Sequence, residues 1–224
     1  MIQVNVLGTI NLITGLMNLG CDCFINFGTC EEYGNGKAPF IENQRELPVS
    51  PYSSSKVATT HFCQMIHRIT GFPVITIRPF LTYGPKQTSN MLIPSLIRHC
   101  LTGLREYKMT LGEQTREFNY ITDVVEGVLE TARRLDLFGE IINIGNGKEH
   151  KIVDVAQLII KLTGSSIKLQ SGALPYRPGE VFNFFSSTEK FIQSINPPKF
   201  TPLREGLEKT ILWYNDFLNN LPIR

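Results

Sequence analysis

Ser50-Pro51-Tyr52-Ser53-Ser54-Ser55-Lys56 is the stretch on which the reading of this chain turns. Pro51 suits the first position of a helix and Ser50 its cap, so the segment opens a helix running from Pro51 to about Thr70. Tyr52 and Lys56 then lie one turn apart on one face. An ammonium beside a phenol favours the phenolate, so a tyrosine that normally titrates near ~10 is expected to move toward neutrality and serve in proton transfer. Tyr-x-x-x-Lys alone is a weak signal, because exposed helices produce the spacing by chance. Its neighbours carry the rest.

Upstream, the apolar run Cys23-Phe24-Ile25-Asn26-Phe27 reads as a short buried strand, and Thr29-Cys30-Glu31-Glu32-Tyr33-Gly34 follows its carboxyl end. Downstream, Val74-Ile75-Thr76-Ile77-Arg78-Pro79-Phe80 is a second buried strand, followed by Tyr83-Gly84-Pro85. Strand, helix and strand in this order imply a right-handed parallel crossover and an α/β sheet. Further along, helices are expected over 90–101, from a Thr122 cap onward carrying Val124, Val125, Val128, Leu129 and Ala132, and over 152–162. Strands are expected over 107–111, 116–121 and 140–144. The chain should finish on a helix whose Leu203, Leu207, Ile211, Tyr214, Phe217 and Leu221 keep helical spacing. The helix from Pro51 should bury Ala58, Phe62, Met65, Ile66 and Ile69. Its opposite stripe carries Tyr52, Lys56 and Cys63.

The opening segment is unusual. Residues 2–19 are apolar on nearly every face, with Val6, Ile10, Ile13 and Met17 in one stripe and Leu12, Leu16 and Leu19 in another. Such a helix is normally wrapped by sheet and partners, and Gly20 ends it.

Composition narrows the function. The 224 residues can bury a substantial core, and a net charge of +2 exerts no pull toward nucleic acid or anionic membranes. No apolar run is long enough to span a bilayer, and the start lacks a signal pattern. Five scattered cysteines argue for reduced thiols in a cytoplasmic protein. Cys21-x-Cys23 lacks a second pair, and His61, His67, His99 and His150 lack ligand spacing, so no metal site is expected.

Taken together, the Thr29 segment, the Tyr52/Lys56 helix, the Arg78 strand and Tyr83-Gly84-Pro85 resemble the extended short-chain dehydrogenase/reductase family, in particular its NAD-dependent nucleotide-sugar epimerases and dehydratases. The resemblance runs over nearly the whole chain. It implies a Rossmann-like parallel sheet with a small C-terminal α/β substrate lobe: residues 1–85 in the C-terminal part of the dinucleotide domain, and 86–224 mostly in the substrate lobe with interleaved Rossmann elements. It implies NAD, or else NADP, as cofactor and a nucleotide-diphosphate sugar as substrate. A homodimer would form through helices 2–19 and 52–70.

The resemblance also assigns roles. Thr29 would donate its hydroxyl to a sugar oxygen, Tyr52 would accept or donate the proton, and Lys56 would bind the cofactor ribose, with Asn5 and Tyr52 also near the cofactor. Glu31 stands where family dehydratases carry a ring-proton acceptor. Cys30 replaces the usual Asp or Ser beside it, which counts against elimination of water; a non-catalytic surface position stays open for Glu31, and more so for Glu32. Arg116 and Arg177 match arginines that grip the diphosphate, and Leu92 lies where base contacts fall. Leu81 replaces a substrate-contacting Asn. Asp123 reads as a structural support.

One element of the family is missing from the sequence. A dinucleotide half needs a glycine-rich turn at a helix N-terminus to receive the pyrophosphate, and no Gly-x-x-Gly-x-x-Gly or Gly-x-Gly-x-x-Gly occurs here. The chain therefore reads as truncated. Two functions follow from this: an epimerase, dehydratase or reductase acting at a sugar hydroxyl, or a non-catalytic remnant or binding module active only with a separate N-terminal piece.

Overall fold

In the computed structural model, which describes residues 1–197 and 199–220, the helix of the opening quotation spans Pro51–Thr70 (α2). Ser50 accepts the Ser53 N–H at 3.0 Å, and Ser53 Oγ in turn receives the Ser50 N–H at 3.1 Å. Pro51 occupies the first turn, and Gly71, at φ 72°, ends the helix in the left-handed conformation. Before it come a π-helical segment Ile2–Leu7, α1 (Gly8–Leu16), β1 (Phe24–Phe27) and a 3-10 turn Cys30–Tyr33. After it come β2 (Val74–Pro79), β3 (Thr82–Tyr83) and α3 (Leu92–Leu101). Next are β4 (Glu106–Met109), β5 (Thr115–Glu117), β6 (Asn119–Tyr120) and α4 (Ile121–Ala132). The chain continues through β7 (Ile141–Ile144), β8 (Glu149–Lys151), α5 (Ile152–Thr163), β9 (Lys168–Ser171), β10 (Asn183–Phe184), α6 (Glu189–Ser194) and α7 (Leu203–Asn219).

The expected parallel sheet is present, in the order β1-β2-β7. Phe24 pairs with Val74 and Phe27 with Ile77, while Thr76 pairs with Ile141 and Pro79 with Ile144. Ile75, Ile77, Ile142 and Ile144 bury one sheet face against Val124 of α4 and Phe191 of α6. The other face meets Ile13 of α1 and Cys63 of α2 through Val74 and Phe72. A second sheet, β10-β5-β8, places Arg116 on its central strand, opposite Phe184 and His150. The largest apolar cluster lies beyond it, between α3, α5 and α7.

Several expectations are corrected. The residues α2 buries most deeply are Ser53, Ser55, Thr59, Thr60 and Cys63, whereas Ala58 and Ile69 lie exposed and Phe62, Met65 and Ile66 are half-buried. These small polar residues bury without penalty because each hydroxyl has a partner: Ser55 donates to Tyr52 O at 2.7 Å, Thr59 to Lys56 O at 2.8 Å and Thr60 to Glu32 at 2.9 Å. The N-terminal helical run is shorter than expected and mostly unburied, with Ile13 its one buried side chain and Val4 77% exposed. The strand expected over 116–121 breaks at Phe118 into β5 and β6, which join different sheets. Thr122 is not the cap: the helix starts at Ile121 with Tyr120 preceding it, and Val125 and Leu129 face outward. The terminal helix is as expected, although Leu221 lies outside the described residues. Asp123 does act as a support, holding Thr201 N–H at 2.6 Å and its hydroxyl at 2.8 Å ahead of α7. Among the described residues, no helix is long and apolar enough to cross a membrane.

Candidate active site

The carboxyl end of β1 and the first turn of α2 meet, and this brings three sequence-selected side chains together. Thr29, in extended backbone at φ −159°, caps the 3-10 turn and accepts the Glu31 N–H at 3.3 Å. A hydrogen bond from its hydroxyl would favour the ionised form of the Tyr52 phenol. Lys56 Nζ sits 5.9 Å from the centre of the Tyr52 ring and donates to Phe27 O at 2.7 Å.

The electrostatics differ from expectation. Tyr52 is pushed above the ordinary tyrosine range, first by burial, against Thr29, and further by the neighbouring carboxylates of Glu31 and Glu32. Lys56 directs its ammonium to the strand-end carbonyl of Phe27. Lys56 itself is held below the usual lysine range by burial, against the opposing charge of Glu32. The Cys30 thiol is buried and strongly raised, so it stands beside the site as a neutral group.

Asn5 does not turn to solvent. Its amide donates to Ser55 Oγ at 2.9 Å, tying the opening helix to the residue before Lys56. Glu31 is exposed. Glu32, read as a surface position, is instead wholly buried, and here sequence reasoning missed a signal that was present. Thr29-x-x-Glu32 is a capping box, in which Glu32 Oε1 accepts the Thr29 N–H at 2.8 Å. Its other oxygen receives Thr60 at 2.9 Å and Arg78 Nε and Nη2 at 3.0 and 2.7 Å. Gly28 leaves room for this carboxylate, since a Cβ there would meet Glu32 Oε1 at 2.4 Å. A second buried carboxylate, Glu117, was not singled out either. It accepts from Asn146 N–H at 2.6 Å, Asn119 at 3.0 Å, and the Ser186 N–H and hydroxyl at 2.7 and 2.8 Å, and burial pushes its pKa up.

Arg116, Arg177 and Leu92 line one cleft of about 440 Å³, together with Leu81, Lys108 and Glu180. Arg116 Nη1 donates to Thr115 O at 2.7 Å and to Phe182 O at 3.3 Å, Nη2 pairs with Glu180, and the guanidinium lies 5.8 Å from the Phe184 ring centre. The cleft does not include Tyr52 in its lining. Chemically, the arrangement offers a protonated phenol with a hydroxyl neighbour at one end and cations suited to an anion at the other.

The donors present fit the ribose end of a dinucleotide: with one Lys56 hydrogen given to Phe27 O, the others remain to meet ribose hydroxyls. No glycine turn for a pyrophosphate occurs in the sequence.

Comparison with known proteins follows the same lines. A family model described as the NAD dependent epimerase/dehydratase family matches residues 1–145. A dTDP-D-glucose 4,6-dehydratase of Homo sapiens is 34% identical over 230 residues, a match that covers 97% of this chain and 63% of that protein. A UDP-glucuronate 4-epimerase of Thermodesulfobacterium geofontis is 26% identical, covering 95% of this chain and 65% of that protein. The chain thus spans somewhat under two thirds of the length of these curated relatives. Among solved structures, UDP-glucuronic acid 4-epimerase from Bacillus cereus, in complex with UDP-glucuronic acid and NAD, superposes with a TM-score of 0.88 at 27% identity. That match covers 96% of this chain and 68% of the other. The dTDP-glucose 4,6-dehydratase of Bacillus anthracis, in complex with NAD, gives 0.85 at 26% identity, covering 97% of this chain and 70% of the other.

Proposed function

This chain belongs to the NAD-dependent epimerase/dehydratase family, and from that premise we propose that it carries the proton-transfer and substrate-gripping parts of an NAD(P)-linked enzyme acting at a hydroxyl of a nucleotide-diphosphate sugar. The observation that carries this reading is the seating of Lys56 Nζ on Phe27 O at 2.7 Å, two residues before Thr29 at the end of β1, with the Tyr52 ring centre 5.9 Å from the same ammonium.

In this reading a bound dinucleotide, NAD before NADP, supplies the hydride acceptor. Lys56 and Asn5 lie on the side that would hold its ribose. Thr29 hydrogen-bonds the sugar oxygen; the ionised fraction of Tyr52 accepts the hydroxyl proton as the hydride leaves, and the resulting neutral phenol returns it when the carbonyl is reduced. Arg116 and Arg177 bind the diphosphate as charge-assisted forks, with Leu92 against the base. Residues 1–85 serve the cofactor side and residues after 85 mostly serve the substrate. Glu31, which is exposed, would take a ring proton if the reaction is a dehydration. The neutral Cys30 thiol is a poor acid for expelling water, which favours epimerisation or reduction over elimination.

A second reading is a nucleotide-sugar-binding module that works with a separate cofactor-binding piece. It is favoured by the outer edge of β1, which carries no partner strand among the described residues. Calorimetric titration of the chain with NAD and with UDP- and dTDP-sugars separates the two. Under the first reading a nucleotide sugar binds and is converted when NAD is supplied. Under the second it binds without turnover and NAD binds weakly or not at all. Absence of binding by every nucleotide sugar defeats both.

A further inference from the structure

Arg177-Pro178-Gly179-Glu180 is a closed turn, with the Glu180 N–H on Arg177 O at 3.0 Å and Gly179 at φ 76°. Proline second and a left-handed glycine third define a type II turn, which brings its first and last residues side by side. Here those residues are an arginine and a glutamate, and both line the cleft. Arg177 is exposed. Glu180 reaches inward to Arg116, and the two side chains are 17% and 16% exposed.

Arg116 itself has little freedom. It stands on the middle strand of β10-β5-β8, and its Nη1 is bonded to two backbone carbonyls. The Nη2 edge is the one a ligand could use, and Glu180 takes it. The charged side chains lining this cleft are Lys108, Arg116, Arg177 and Glu180, so Glu180 is the one carboxylate among three cations.

Resting on the diphosphate reading above, we propose that Glu180 competes with the ligand for Arg116 and so sets the charge a ligand must bring to enter. A guanidinium fork accepts a carboxylate or a phosphate in the same geometry. A neutral or singly charged ligand gains too little from Arg116 to replace a carboxylate already seated there. A diphosphate carries enough charge to displace it, and Arg177, at the other end of the same turn, remains to meet the second phosphate. Discrimination of this kind is a difference between two affinities, built by opposing the wrong ligand.

The test is calorimetric titration of the full chain with UDP, dTDP, inorganic pyrophosphate and uridine, comparing wild type with Glu180→Gln and Glu180→Asp. Glu180→Gln should bind UDP or dTDP, and pyrophosphate, about tenfold more tightly, close to 1.4 kcal/mol, and leave uridine unchanged. Glu180→Asp retains the charge and should stay near wild type. An unchanged or weakened diphosphate affinity in Glu180→Gln overturns the proposal, since Glu180 would then be a bystander or a direct ligand contact. If neither wild type nor Glu180→Gln binds any diphosphate, the reading of the cleft fails and this proposal with it.

Discussion

Glu32 and Arg78 form an ion pair with both side chains fully buried, joined through Arg78 Nε and Nη2 at 3.0 and 2.7 Å. The same Glu32 carboxylate holds the Thr29 N–H, so the guanidinium of β2 fixes the turn that presents the Thr29 hydroxyl. Arg78 is itself held by Glu46 at 2.7 Å and lies 4.6 Å from the centre of the Tyr33 ring. Removing one partner of such a pair leaves a buried charge behind. We expect Glu32→Ala to lower stability by about 3–5 kcal/mol in urea unfolding. A loss below about 1 kcal/mol would mean that Arg78 is satisfied by Glu46 alone.

Tyr52 should ionise above the normal tyrosine range of about 10, because burial and the neighbouring carboxylates of Glu31 and Glu32 act on it. The sign is definite: the phenol keeps its proton through neutral pH and loses it only as pH rises through the elevated value. An alkaline ultraviolet titration of wild type minus Tyr52→Phe isolates its tyrosinate band. A midpoint at or below that of free tyrosine would show that Lys56 governs the phenol after all.

If the proposed chemistry operates, Tyr52→Phe should slow nucleotide-sugar conversion by about 10²–10⁴-fold while nucleotide-sugar binding, read by calorimetry, changes little. An equal loss of binding would place Tyr52 in substrate recognition instead.

Glu117 links β5 to the segments at Asn146 and Ser186 through three donated hydrogen bonds and receives a fourth from Asn119. An amide has one acceptor oxygen where the carboxylate has two, so Glu117→Gln should cost about 1–3 kcal/mol by stranding Ser186 or Asn146. Burial raises the Glu117 pKa, so the folded state binds its proton more tightly than the unfolded chain does. The contribution of Glu117 to stability is therefore fullest below the ordinary carboxylate range and is lost as pH rises through the elevated value. Thermal melts across the acid range should show this slope in wild type and not in Glu117→Gln.

The exposed apolar surface of the opening helix and of α2 predicts association, with Val4 77% and Ile69 72% exposed. Wild type should sediment as a dimer at micromolar concentration, and Val4→Glu combined with Ile69→Glu as a monomer. A monomeric wild type would remove the helices from any interface.

What could be read from the sequence was whatever local chemistry dictates. The Ser50 cap, Pro51 and Gly71 bound α2, and runs of β-branched residues marked β2 and β7. The buried face of α2 was misjudged because hydropathy ranks Ala58 and Ile69 above Ser55 and Thr60. Hydroxyls that bond their own helix carbonyls can be covered as readily as methyl groups. The Thr29–Glu32 capping box is legible in the Thr-x-x-Glu spacing, but that spacing does not say that the carboxylate is buried. The Glu32–Arg78 and Arg116–Glu180 pairs join residues dozens of positions apart, and no local pattern announces them. The elevated Tyr52 follows from burial and from nearby carboxylates, which helical spacing alone does not determine.

The central sheet collects its three strands from widely separated parts of the chain, and β7 is the last to arrive. During synthesis β1 and β2 must therefore wait, with their isoleucines uncovered, until more than half of the polypeptide has left the ribosome. Parallel pairings of such long reach form slowly. A cell making this protein has to shield that half-built sheet for the interval, so the yield of folded molecules should rise with chaperone supply and fall with growth temperature.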